Sequence, residues 1–485
     1  MFLLEEDLIA LVTKIQSERC EKQTVEVKKA AIGTPTRLYD TLSSFSNQQG
    51  GGIIIFGLDE ATGFQVTGVY DPQDLQKKVV EQSMQMEPVI RPLFTVAQIE
   101  GKTVVSAEIS ECDLTDKPCF YRGAGRLRGS YIRVGESDQP MTEYEIYSYE
   151  AYRRRIHDEL RTINRLKLDH FSKERVMEYL ISLRQQKPNL ANLDDNRVLE
   201  TQGLVQNGQP TLAGILLLGE YPQEFFPQLS LTALVIPGHE MGDIGSGNER
   251  FIDNKRIEGT LPQMLEQAMA FVNRNMATRT IIAEDGTRHD RGEYPLKAVR
   301  EILLNAMIHR DYSIHTENSP IRLILFADRL ELENPGGLYG RITLDDLGKV
   351  AADTRNPYLA GAMEILLHTE NRFSGIPTIR VELEKAGLPP PLFSDRRGIF
   401  KVTFTKAPSD RILPDLNQPS DFPLEREILA FCETPRSREE LARKFGFESK
   451  SYFIKTYVQP LVDAGRLSLS IPGKPRSTHQ KWLKA

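Results

Sequence analysis

Three carboxylates near the start of the chain have the spacing to do chemistry. Glu21 and Glu26 stand close together, Lys28 follows, and Asp59 ends a run of Asn47, Gly50-Gly51-Gly52, Ile53 to Phe56 and Gly57-Leu58-Asp59. In the stretch Thr24-Val25-Glu26-Val27-Lys28, a period of two puts Glu26 and Lys28 on one face of a strand. Three converging carboxylates repel one another unless a divalent cation holds them. Magnesium or manganese on such a set activates water against a phosphodiester. The same region carries Arg122, Arg126, Arg128 and Arg133, with Phe120, Tyr121 and Tyr131 interleaved. Arginines beside aromatic rings suit phosphate contact and base stacking.

A second group lies on Pro295 to Tyr312, which reads as a helix with proline in its first turn. Leu296, Val299, Leu303, Ala306 and Met307 make the apolar stripe. Glu301 and Asn305 are four apart and share a face. An asparagine can coordinate magnesium, and a nearby glutamate can orient water. A hairpin, Ile321 to Phe326 and Leu330 to Glu333, runs into Asn334-Pro335-Gly336-Gly337, where glycine lets backbone approach a ligand. Arg355-Asn356-Pro357 and Phe373-Ser374-Gly375 follow.

The third group is the tail. From Arg436 to the end there are eleven Lys/Arg and four Asp/Glu, against a net charge of −6 for all 485 residues. A basic tail on an acidic body points to an anionic partner. Ser437 and Glu440 form a capping box. A second helix from Ser449 to Leu461 carries Lys450, Tyr452 and Lys455, and a basic turn carries Lys474 and Arg476. Helix, turn, helix and basic wing is the winged-helix layout, in which these five residues would meet nucleic acid.

The elements that must position these groups predict an α/β multidomain chain. Residues 1–140 read as a compact α+β domain and 141–200 as a helical connector. Residues 201–405 read as an α/β sandwich, 406–423 as a proline-rich linker and 424–485 as the winged helix. Four scattered cysteines without a CxxC pair argue against a disulfide framework or a zinc ribbon. No apolar run approaches the roughly 18 residues of a membrane helix, and the N-terminus lacks a basic leader. A cytoplasmic location, with no membrane partner, is expected.

Glu21, Glu26, Lys28, Asn47, Gly50, Gly51, Gly57 and Asp59 together resemble the Schlafen/AlbA-like domain. That resemblance implies either a DNA-binding regulator or a metal-dependent ribonuclease. In the second case Glu21, Glu26 and Asp59 would hold the metal and Lys28 would steady the phosphate. The stretch Glu301 to Tyr312 resembles the divergent GHKL-type module once labelled RecG-like C-terminal. This implies an ATP site built from Glu301, Asn305, Asn334, Gly336, Gly337 and Gly375. Asn334 stands nearest to the adenine-reading aspartate of that family, and Phe373 adds bulk beside Gly375, so hydrolysis is expected to be weak or absent. No P-loop signature occurs, which disfavours a motor. The leading expectation is a nucleotide-responsive regulator that binds DNA or RNA. A metal-dependent endonuclease and a non-catalytic dimerising scaffold are the alternatives.

Overall fold

The computed structural model describes residues 3–245, 247–282, 288–351, 353–367, 375–396, 398–406, 428–429, 431–445, 453–454, 458–463, 466–471 and 480–484. The chain divides into two compact units, 1–407 and 408–485, and the architecture is mixed α/β and multidomain.

The first unit begins with helix α1 (Glu5–Glu18), whose Leu8, Val12 and Ile15 are buried at helical spacing. Strand β1 (Val25–Lys28) follows, then α2 (Tyr39–Asn47), β2 (Gly52–Phe56), β3 (Leu58–Asp59), β4 (Gln65–Val66), α3 (Pro72–Ser83) and β5 (Met86–Glu87). Next come β6 (Leu93–Ile99), β7 (Lys102–Ile109), β8 (Phe120–Tyr121), the short α4 (Arg126–Gly129), β9 (Tyr131–Val134) and β10 (Ser137–Pro140). The main sheet has the order β1-β2-β7-β6, with β1 and β2 parallel. Side chains alternate across it. Val25, Val27, Ile55 and Val104 meet α1 in one core, while Ile54, Phe56, Val105 and Ala107 join Leu42, Phe45 and Val79 from α2 and α3 in another. Glu26 and Lys28 therefore sit at the sheet edge on the α2 side.

The connector opens with α5 (Glu143–Arg154), held by a Thr142/Glu145 capping box. It continues with α6 (Lys173–Gln186) and α7 (Asp195–Thr201), after which come the β11–β12 hairpin (Val205–Gln206, Gln209–Pro210) and α8 (Leu212–Leu218). Every residue of α8 is buried. Glu159 has no exposed surface and accepts the backbone N–H groups of Tyr358 (3.0 Å) and Leu359 (2.7 Å). It thereby fixes the connector to the start of α11 (Pro357–Leu367). Burial pushes its pKa up to about 7. Glu159→Ala strands two N–H donors and should lower unfolding free energy by about 1–3 kcal/mol. Glu159→Gln keeps an acceptor and should cost less. Because the folded-state pKa is raised, ionising Glu159 opposes folding as pH rises from the usual carboxylate range toward 7, so the Gln variant gains relative to wild type at pH 8. Urea denaturation followed by circular dichroism at pH 5 and 8 checks both.

The remaining module carries β13 (Leu231–Val235), β14 (Asp253–Ile257), α9 (Leu261–Asn275), the β15–β16 hairpin (Thr278–Ile282, Arg288–Gly292) and α10 (Leu296–His309). It continues with β17 (Ile321–Leu325), β18 (Arg329–Pro335), α11, α12 (Gly375–Lys385), β19 (Leu392–Arg396) and β20 (Ile399–Thr405). The six-stranded sheet runs β14-β13-β17-β18-β20-β19, and only the β13–β17 pair is parallel. Leu231, Ala233, Leu323, Leu325, Leu330 and Phe404 face the helices in one core. The opposite face carries the small cluster Ile236, Ile324 and Phe326 and ion pairs such as Lys401–Glu331 (3.1 Å). The result is a two-layer α/β sandwich.

In the second unit, strands Arg436–Ser437, Lys481–Lys484 and Leu467–Leu469 form a three-stranded antiparallel sheet, with Lys481–Lys484 in the middle. Helices Arg438–Lys444 and Gln459–Asp463 accompany it. Ser437 accepts from Glu440 N (3.3 Å) and its own N–H donates to Glu440 (2.8 Å), which is the capping box read from sequence. Ile428, Cys432, Leu441, Phe453 and Trp482 form the core. Among the described residues, no helix is long and apolar enough to cross a membrane.

Candidate nucleic-acid interface and nucleotide site

The acidic residues of the N-terminal domain are placed by β1, the loop before it and the β3–β4 hairpin. Glu21 reaches back to accept Val27 N–H at 2.8 Å. Glu26 projects from β1 and pairs with Lys28 through one oxygen and with Arg133 through the other, at 2.7 Å. Arg133 comes from β9. Its side chain has no exposed surface and also lies 3.0 Å from Asp138 and 3.6 Å from Glu21, with its guanidinium over the Phe45 ring. Asp138 is in turn bound by Thr41 (2.7 Å) and Ser44 (2.6 Å) of α2. Three carboxylates and two cations leave this knot one negative charge in excess. Burial, and then the Glu26 charge, push the Glu21 pKa up to about 7.

Asp59 is turned elsewhere. Its carboxylate accepts Ala61 N–H and pairs with Lys29 at 2.7 Å, and the Lys29 bond holds its pKa below the usual range. The structure thus joins Glu21, Glu26 and Lys28, but among the described residues no group of three or more His, Cys, Asp or Glu is arranged to hold a metal. The carboxylate set expected to bind magnesium or manganese does not fit that ion in this arrangement. The positive charge it needs comes from Arg133, which sequence spacing cannot pair with residues more than a hundred positions earlier.

Arg133 is therefore corrected from a nucleic-acid contact to an internal counter-ion. Its three companions divide. Arg126 is half-buried against Glu150 of α5 and over Phe120. Arg122 is exposed, with Glu87 at 3.9 Å, and Arg128 is exposed. Phe120 is buried, and Tyr121 stacks on Tyr39 at 3.7 Å. Arg122 and Arg128 thus remain exposed, as does Arg37, whose guanidinium reaches Tyr131 Oη at 3.5 Å and pairs with Asp40 at 2.8 Å. Asn47 is a clamp. Its Nδ2 donates to Cys119 O (2.9 Å) and Tyr131 O (3.0 Å), and its Oδ1 accepts Cys119 N–H (2.7 Å), tying α2 to the strands that carry the arginines. Gly51 has φ +72, and a Cβ there would lie 2.1 Å from Ile109 O, so its role is close packing.

In the second module, α10 and α12 pack together. Glu301 and Asn305 share a half-buried face, and a Cβ on Gly375 would stand 3.0 Å from Asn305 Nδ2 and 3.3 Å from Glu301 Oε2. Burial raises the Glu301 pKa. These three predicted residues are brought together, while Phe373 and Ser374 lie outside the described residues. Asn334 is buried on β18 with Oδ1 unpartnered. Gly336, at φ +104, and Gly337 back onto other groups. Their Cβ positions would lie 2.5 Å from Asp311 Cβ and 2.7 Å from the Asp395 carboxylate. Asp311 lies two residues beyond α10, which stops at His309 rather than running on to Tyr312.

Asp311 and Arg355 form a buried ion pair at 2.5 Å. Tyr144 Oη donates to Asp311 at 2.9 Å, Arg355 donates to Gly337 O at 3.3 Å, and its guanidinium lies 5.0 Å from the Tyr339 ring. Burial alone would raise the Asp311 pKa, but Arg355 overrides it and the net direction is down. Tyr147, Asp158, Asp311, Tyr339 and Arg355 line a small cleft beside this pair. Local sequence pattern assigns no role to Asp311 or Arg355, although both stand in the runs His309-Arg310-Asp311-Tyr312 and Arg355-Asn356-Pro357. An aspartate directly after a helix end and an arginine before Asn-Pro were the signals. Lys450, Tyr452, Lys455, Lys474 and Arg476 lie outside the described residues.

Residues 21–142 match the family described as Schlafen, AlbA_2. Residues 318–404 match "Putative ATP-dependent DNA helicase recG C-terminal". Residues 149–232 match a domain of unknown function, and residues 426–483 match the C-terminal domain of the filamentation induced by cAMP protein, Fic-like. No curated protein matches. Among solved structures, the DIP2311 protein from Corynebacterium diphtheriae is 20% identical, with 99% of this chain and 97% of that chain covered and a TM-score of 0.42. The N-terminal domain of a "Putative ATP-dependent DNA Helicase RecG-related Protein" from Nitrosomonas europaea is 26% identical. That match covers 28% of this chain and 92% of that domain, with a TM-score of 0.23.

Proposed function

We propose, from the premise that this chain joins a Schlafen/AlbA_2 domain, a RecG-C-like, GHKL-like module and a Fic-like C-terminal domain, that it is a nucleic-acid-binding regulator. The observation that carries the reading is Arg133. By pairing with Glu26 and Asp138 inside the domain, it offsets part of the carboxylate charge that would repel phosphate, while Arg37, Arg122 and Arg128 face out. Tyr39 and Tyr121 supply a stacked aromatic pair beside them. The tail would add a winged-helix contact.

The GHKL-like module would sense nucleotide. Glu301, Asn305 and Gly375 would hold the phosphate end, where bound magnesium supplies charge neutralisation. Asn334 offers an unpartnered buried acceptor. Asn305→Ala should abolish any thermal shift produced by ATP with magnesium.

The binding test is fluorescence anisotropy with labelled RNA and DNA, each with manganese and with EDTA. The double variant Arg122→Ala/Arg128→Ala should bind about five- to tenfold more weakly, with a salt slope shallower by about 1.5. Unchanged binding would remove this face from the interface. Metal-dependent cleavage, lost in EDTA and in Glu26→Ala, would overturn the binding-only reading in favour of an endonuclease.

A further inference from the structure

We propose that the basic segment of the connector from Arg153 to Lys167 is a second contact for the phosphate backbone of nucleic acid, continuing the arginine face of the N-terminal domain; it rests on the binding reading above. The segment holds Arg153, Arg154, Arg155, Arg161, Arg165 and Lys167 against two acids, Asp158 and Glu159. Neither acid offsets the charge outside. Both oxygens of Asp158 lie 2.8 Å from Tyr147 Oη, and Glu159 is fully buried on two backbone N–H groups. Arg161 is consumed by Glu317 and the Phe226 ring. Arg154, Arg155, Arg165 and Lys167 are exposed, and among the described residues none of the four forms an ion pair.

Two further observations favour a polyanion over a merely solvated edge. Glu150 pairs with Arg126 of α4 and lies 3.8 Å from Arg153 of α5, so the connector's cations begin where the N-terminal domain's arginines end. A helix C-terminus attracts cations, which accounts for Arg154 and Arg155. It does not account for Arg165 and Lys167, which lie beyond α5 and outside any helix. Arg155 itself has φ +51, a conformation in which glycine is cheaper by about 1 kcal/mol.

The test uses the full-length chain and a labelled RNA and DNA of about 20 nucleotides. The variant Arg154→Ala/Arg155→Ala/Arg165→Ala/Lys167→Ala is compared with a charge-matched control, Arg197→Ala/Lys255→Ala/Lys349→Ala/Arg380→Ala. Circular dichroism verifies that both fold. The connector variant should bind at least tenfold more weakly at about 0.1 M salt, with the salt slope reduced by about 3, while the control stays within twofold of wild type. If both bind as wild type does and Arg122→Ala/Arg128→Ala still weakens binding, this inference fails and the binding reading stands. If wild type binds neither probe, both fall. Equal losses in connector variant and control would show a net-charge effect and also overturn the assignment.

Discussion

Replacing Arg133 by methionine should destabilise the N-terminal domain by about 3–5 kcal/mol at pH 8, which is the range for removing one partner of a buried ion network. The substitution keeps an apolar stem but removes the guanidinium that lies over Phe45, and it leaves Asp138 and one oxygen of Glu26 enclosed without Arg133. The pH dependence makes the prediction specific. Glu21 titrates near 7 in the folded state, above its unfolded value. The folded protein therefore binds the extra proton between those two values, and stability is lost as pH rises through that window. Without Arg133 the excess negative charge grows, so the deficit of the variant should shrink on acidification toward pH 5. Glu26→Gln in the same background should recover part of the loss. Urea unfolding followed by far-ultraviolet circular dichroism gives the numbers. A loss below about 1 kcal/mol at every pH would mean that the knot contributes little.

The second large effect is at Asp311. Asp311→Ala strips Arg355 of its paired carboxylate, while the Arg355 side chain stays almost wholly enclosed, left with Gly337 O, the Tyr339 ring and the weaker pull of Asp158 and Asp395. It also removes the acceptor of Tyr144 Oη. A cost of about 3–5 kcal/mol is expected in the first unit. Arg355→Met added to Asp311→Ala should restore part of it, because the orphaned cation is then gone. Trp482, the chain's single tryptophan, lies buried in the second unit. Its fluorescence should leave that unit's transition unmoved while circular dichroism records the early loss. A double variant no more stable than Asp311→Ala would refute the ion-pair account.

Much of the architecture could be read from local pattern. The hairpin expected at 321–326 and 330–333 is β17–β18. Period-two spacing on β1 did put Glu26 beside Lys28. Leu296, expected in the apolar stripe of α10, is instead well exposed in its first turn. Helix α8 was not legible in this way, because a helix buried on all sides shows no periodicity. The candidate site was legible where its members sit on one element, as Glu301 and Asn305 do. Gly375 was placed beside them through family resemblance, and the α10–α12 packing agrees. What local pattern missed were pairings across the fold: Arg133 with Glu26, Tyr144 with Asp311, and Glu159 with the start of α11. Charge alone assigned Arg133 to a surface ribbon, since burial of an arginine leaves no mark on its neighbours in sequence.

Helix α5 has two commitments. Glu150 faces Arg126 in the N-terminal domain, while Tyr144 and Tyr152 bond Asp311 and Asp353. On the ribosome those partners arrive some two hundred residues after α5 itself. At about 5–20 residues per second, its tyrosine side waits roughly 10–40 s uncovered. The nascent N-terminal domain must therefore persist for that interval with a sticky flank, and mutations that loosen α5 should show first as poor yield at high expression rates.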